Sequence, residues 1–249
     1  LVLLWMSFFP NYVQPSISAF SQISIRQYIL LFQDSRLLST WFNTMVIAFL
    51  APTIAVGLTV VLAWVNIRLQ KLFLIRLSID LFVSSSLAIP TVVAANALLL
   101  FYLLINRAVP SWFPLIGTIA VLVLVYSYRI GLAYRVNRSA ILQISPELEH
   151  ASYVSGGSSV QTLIKVVFPL IAPSVLAVWM FLFLVSFRDL TLPLVISRES
   201  PPFVISVLIW KMWGQYPGQA AALGVLTVGF LSGFVFAMRM AFRQLIRRD

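Results

Sequence analysis

The sequence predicts an all-α integral membrane protein, a bundle of about six transmembrane helices, and three observations predict it. Apolar residues make up 61% of the 249 positions and charged residues only 10%, where a soluble domain carries about 25% charge. Mean hydropathy is +0.98. Apolar runs of membrane length recur along the chain, too long for barrel strands and without the alternation that a barrel needs.

The chain opens Leu1-Val2-Leu3-Leu4-Trp5-Met6-Ser7-Phe8-Phe9-Pro10. This run is shorter than the roughly 20 residues that cross a bilayer, and it lacks the basic leader of a signal peptide. It reads as the cut end of a first transmembrane helix, in a fragment (1–249) that forms one transmembrane domain. Residues 15–35 are apolar at mixed spacing but carry Arg26 and Asp34, the pattern of an amphipathic helix in the interface. Further spans are expected at 38–65, 77–105, 116–135, 163–187 and 220–240. Pro52, Pro90, Pro169 and Pro173 fall in apolar runs, where proline kinks a helix and frees a carbonyl. Such breaks either line a pathway or are simply tolerated. Gly229 and Gly233, and the serines and alanines from Ser84 to Ala97, suit close helix packing.

The net charge of +10 does not indicate nucleic acid, because the basic residues cluster at helix ends and fix orientation against membrane lipid. One side collects Arg68, Lys71, Arg76, Arg135, Arg138, Lys165, Arg239, Arg243, Arg247 and Arg248. The other collects Arg26, Arg36, Arg107, Arg198 and Lys211. This asymmetry places the C-terminus and the polar segment around residue 150 in the cytoplasm, with 106–114 and 197–216 outside. With no cysteine and a single histidine, neither a disulfide framework nor a histidine–cysteine metal site is available, and no cofactor is expected.

The segment from Glu149 to Ser159 is a polar insert between apolar runs. Ser145 before Pro146 is a sound helix start, and Glu147 and Glu149 in the first turn complement the helix dipole. The expected helix covers 147–155 and ends at Gly156-Gly157. Ala151, Ser152 and Ser155 share a face on which another surface can approach closely; an ordinary solvated loop helix is the alternative. His150 reads as a surface residue. Asp80 and Arg129 sit inside apolar segments, where charge is costly and usually paired. They form either a mutual structural ion pair or a gate element. Arg188 and Asp189, near Pro193, end the 163–187 helix as a contact for passing solute or as a snorkelling interfacial pair.

Anchored on Phe168-Pro169, the insert resembles the cytoplasmic signature of binding-protein-dependent ABC importer permeases. Ala151 and Ser152 take its two small positions, Gly156 its glycine, Val166 its isoleucine and Phe168 its leucine. His150 stands where the family usually has glutamate, and Glu149 is one residue early. Asn43-Thr44 is similar to the Asn-Thr that this family often has at the start of the second helix, while the stretch from Phe187 to Pro193 and Trp213-Gly214-Gln215-Tyr216 resemble ferric-iron-type permeases, which often fuse two halves in one chain. The resemblance implies a type I importer fold and a C-terminal half. It also implies that the loop at 139–162 couples to an ATP-binding cassette ATPase subunit, through Glu147, Glu149, His150, Ala151, Ser152, Gly156, Gly157 and Pro169. A substrate-binding protein, a second permease half or subunit, a ferric cargo and a bacterial inner-membrane location follow from the same likeness.

The chain is not expected to hydrolyse ATP itself. Its three lysines, Lys71, Lys165 and Lys211, follow Gln70, Ile164 and Trp210, whereas the phosphate-cradling loop needs Gly-Lys-Ser/Thr. The rival reading is a secondary transporter or channel without an ATPase partner. Such a transporter would place coupling carboxylates or broken helices near the midplane.

Overall fold

The computed structural model describes residues 1–68, 73–108, 118–197 and 203–246. Lys71, Arg198, Arg247 and Arg248, residues 109–114 of a segment expected outside, and residues 116–117 of an expected span lie outside the described residues. In chain order the first helices are α1 (Val2–Met6), α2 (Arg26–Gln33), α3 (Arg36–Arg68), α4 (Phe73–Ala88), α5 (Thr91–Ala108), α6 (Ile119–Tyr126) and α7 (Ile130–Leu142). They are followed by α8 (Pro146–Val154), α9 (Ser159–Thr162), α10 (Phe168–Arg188), α11 (Thr191–Ser197), α12 (Ile205–Trp213) and α13 (Pro217–Ile246). A 3₁₀ turn covers Ile17–Gln22 and a π turn, Leu163–Val167, joins α9 to α10. No strand occurs among the described residues. The chain forms two compact units, one of Leu1–Met45 with Glu199–Asp249 and one of Val46–Arg198.

In the first unit α13 packs against α1, α2 and α12. The expected interfacial helix at 15–35 is two pieces, the 3₁₀ turn and α2. Helix α12 has no side-chain cap of its own. Its first N–H, from Ile205, donates to Thr44 Oγ1 at 2.9 Å, and Asn43 Nδ2 donates to the Phe203 carbonyl at 3.1 Å. Asn43-Thr44, conspicuous in the sequence, therefore caps a helix that begins 161 residues later.

In the second unit the core is built from α3, α7 and α10, with Ala55, Val56, Tyr134, Ile141, Ile171 and Val178 buried together. Pro52 sits inside α3 without ending it. Two expected spans are not single helices. Residues 77–105 divide at Ile89-Pro90 into α4 and α5, bent by 114°, and the 116–135 run divides at 127–129 into α6 and α7, bent by 51°. Proline explains the first break, since it lacks an N–H and disfavours helix in the residue before it.

The second break has no proline. Arg129 provides α7 with no side-chain cap; instead the Gly131 N–H donates to Ser86 Oγ at 2.9 Å. Ser86 lies in the last turn of α4, and its hydroxyl donates in turn to the Val83 carbonyl at 2.9 Å. A side chain at residue 131 would collide with Leu87 and with Ser86 Oγ, at 2.6 Å. Glycine is what lets the two breaks meet.

Among the described residues three helices are long and apolar enough to cross a membrane alone: Arg36–Arg68, the continuous stretch Ser159–Arg188, and Pro217–Met240. Counting each bent pair as one span gives five, matching the five complete runs read from the sequence. The chain is a multi-pass membrane protein.

Candidate functional site

The polar insert folds as the sequence expects at its ends. Ser145 Oγ accepts the Glu147 N–H at 3.3 Å, Pro146 takes the first helical position, and Glu147 and Glu149 occupy the first turn of α8. At the other end Gly156 adopts φ +84°. Its N–H donates to the Tyr153 carbonyl at 3.0 Å, and that of Gly157 to the Ser152 carbonyl at 2.9 Å. These are the two bonds of a Schellman stop. The glycines serve different ends: Gly156 supplies the left-handed backbone, while a Cβ on Gly157 would lie 2.7 Å from Ser152 Oγ. Ser158 and Gln161 then form a reciprocal capping box that starts α9.

Helical spacing sorts α8 into two faces. Glu147, His150, Ala151 and Val154 are exposed, Val154 at 89%, and Leu148 and Tyr153 flank them, also exposed. Glu149 and Ser152 turn inward. Ser152 is half-buried with its Oγ 2.8 Å from Thr162 Oγ1, whereas its small neighbour Ala151 is exposed. Thr162 is fully buried and draws the hydroxyl back onto the loop.

Glu149 is only 3% exposed and makes an ion pair with Arg68, the last residue of α3. Sequence analysis set Glu149 in the first turn of the helix and in the coupling loop but named no partner for it, and Arg68 lies 81 positions earlier in the chain. Pro169 stands near the start of α10, just after the π turn.

Asp80 and Arg129 do not pair with each other. Asp80 Oδ1 accepts from Asn66 Nδ2 at 3.0 Å and from the Tyr134 hydroxyl at 2.9 Å. Tyr134 lies about one turn into α7, whereas Arg129 precedes that helix. The intervening turn points them to different neighbours. Arg129 instead reaches Asp189, the residue that ends α10, at 3.0 Å, and its guanidinium lies 5.7 Å from the Tyr126 ring centroid. Arg188 is exposed, whereas Pro193 is buried in the first turn of α11. The three residues read as a path thus separate into an exposed cation, an ion-paired carboxylate and a packed proline. Among the described residues no group of three histidine, cysteine or carboxylate side chains is placed to hold a metal.

No protein-family model and no curated protein matches the chain. Solved structures do. The chain is similar to a bacterial ABC transporter involved in the import of the acidic polysaccharide alginate. The TM-score is 0.71 and the identity 19%, over 96% of this chain and 87% of that one. A bacterial alginate ABC transporter in complex with an alginate pentasaccharide-bound periplasmic protein matches with a TM-score of 0.65 and 19% identity, over 91% and 85%. An amino acid ABC transporter with histidines gives 0.56 and 17%, over 93% and 100%. At such identities the likeness establishes the fold, which is that of type I ABC importer permeases.

Proposed function

We propose that this chain is the transmembrane permease subunit of an ATP-driven solute importer of the bacterial inner membrane. Solute arrives on an external binding protein and crosses by alternating access, with a second permease half or subunit completing the pathway. The observation that carries the reading is α8, a short helix fixed at both ends whose outer face, with Leu148, Ala151, Tyr153 and Val154 among its exposed residues, lies open. In a fold shared with ABC importers, and in a chain with no phosphate-cradling loop, such a face suits the groove of a separate ATPase subunit. Residues 145–157 and the C-terminus face the cytoplasm in this reading. Arg188, Asp189 and Pro193 stand beside the exit of α10 along the pathway.

The cargo is the finer part of the proposal. The similar structures include an alginate importer and an amino acid transporter, so the fold does not select a cargo. Ferric-iron-type cargo is supported by the resemblance at 187–193 and 213–216.

The test purifies the full native chain from its own membrane and asks which ATPase accompanies it. Gly156→Asp and Val154→Asp should reach wild-type abundance yet lose that ATPase and the uptake of radiolabelled ferric iron. His150→Glu should keep both. Normal ATPase retention in the Gly156→Asp variant would overturn the docking role. A wild-type complex that retains its ATPase but takes up no iron would overturn the cargo alone.

A further inference from the structure

We infer that the Arg68–Glu149 ion pair is the link that makes the docking helix and α3 move as one body, a positioning role that rests on the docking reading above. The argument starts from how α8 is held. It packs chiefly against α9 and the π turn that leads into α10, so a displacement of α8 reaches α10 through the chain itself. Arg68 provides the connection to α3. A carboxylate with 4% of its side chain exposed is stable only with a partner that satisfies its charge. Arg68, at 26%, supplies that partner from the last turn of α3.

Alternatives on α8 itself fall short. Glu147 shares the first turn but points outward, and the Ser152–Thr162 contact stays within the insert. The pair therefore fixes one arrangement of α8 against α3, as buried charge pairs that set register do. The same pair leaves the outward face of α8 untouched, so docking and transmission are separable by mutation.

The absence of cysteine allows a direct measurement. Spin labels at Ser159→Cys and Val61→Cys, both exposed, report the distance between the docking insert and α3. The full native chain with its ATPase is measured without nucleotide and with MgATP and vanadate. In the native background one narrow distance population should persist in both states. In E149Q a second, longer population should appear on adding MgATP and vanadate. The solute moved per ATP hydrolysed should fall by about tenfold, a size usual for coupling between two sites.

The exchanged variant Arg68→Glu with Glu149→Arg should restore the single population. It also guards against a folding defect, because a buried charge of either sign keeps its partner. Identical distances in E149Q and native protein overturn the link. So does an exchanged variant of native abundance that remains uncoupled. Loss of the ATPase from E149Q overturns it as well, since the pair would then shape the docking face. Absence of any ATPase from the native preparation counts against the docking reading, which is a different failure.

Discussion

The junction between the two helix breaks supports a quantitative prediction. Gly131→Ala places a methyl group against Leu87 and within 2.6 Å of Ser86 Oγ. Ser86 must withdraw, and the Gly131 N–H at the start of α7 loses its acceptor. An unsatisfied buried donor costs about 1–3 kcal/mol, and forcing a methyl group into a packed contact costs about 1–3 kcal/mol. Alanine recovers about 1 kcal/mol of helix propensity. The expected net loss is about 1–5 kcal/mol, centred near 3.

Ser86→Ala removes the acceptor alone. It should cost about 1 kcal/mol, the low end of the penalty for the orphaned N–H and within the range of hydrogen bonds between membrane helices. The assay is unfolding of the purified chain in mixed micelles with increasing SDS. Because the Ser86 hydroxyl is half of the collision, the double variant should be less destabilised than the sum of the singles, by about 0.5 kcal/mol or more. Two results would refute the reasoning: a Gly131→Ala loss under about 0.5 kcal/mol, or strict additivity.

Three further outcomes are expected. Gly156→Ala should cost about 1 kcal/mol by enforcing a left-handed backbone on an L side chain, whereas Gly157→Ala should displace Ser152 and expose the loop to proteolysis; limited proteolysis of the two variants distinguishes them. Cysteine at position 150 should react with an impermeant maleimide only from the cytoplasmic side, and labelling from outside intact cells would reverse the topology. The Arg36 guanidinium, hydrogen-bonded to Asp34 at 2.8 and 3.0 Å, holds that carboxyl below the ordinary carboxylate range. Its contribution is therefore complete above the ordinary carboxylate pKa and is lost as pH falls through the lowered value, so Asp34→Asn should flatten the acid limb of a stability–pH profile.

What could be read from the sequence was local. Ser145-Pro146-Glu147 and Gly156-Gly157 announced both ends of α8 because capping chemistry is decided within a few residues. Pro90 marked a break for the same reason. The break at 127–129 was hidden, since Ser127-Tyr128-Arg129 contains no proline and the hydroxyl that makes the break tolerable belongs to Ser86, 45 residues before Gly131. Charge partners were equally out of reach. Asp80 and Arg129 were matched as the ionisable residues of neighbouring apolar runs, but Asn66, Tyr134 and Asp189 took those places. Polar side chains without charge give little sign in a sequence of the job that they do in a membrane.

The Ser86–Gly131 bond also has a direction along the chain, from an acceptor made early to a donor made later. When α4 leaves the ribosome the Ser86 hydroxyl can already place its own proton, because it donates within its helix to the Val83 carbonyl. The later pair, α6 and α7, arrives with an unanswered N–H at Gly131 and finds its acceptor waiting. Were the two bent pairs exchanged in the gene, the pair with the open N–H would be made first, before its acceptor was translated. The direction of synthesis thus matches the direction of dependence.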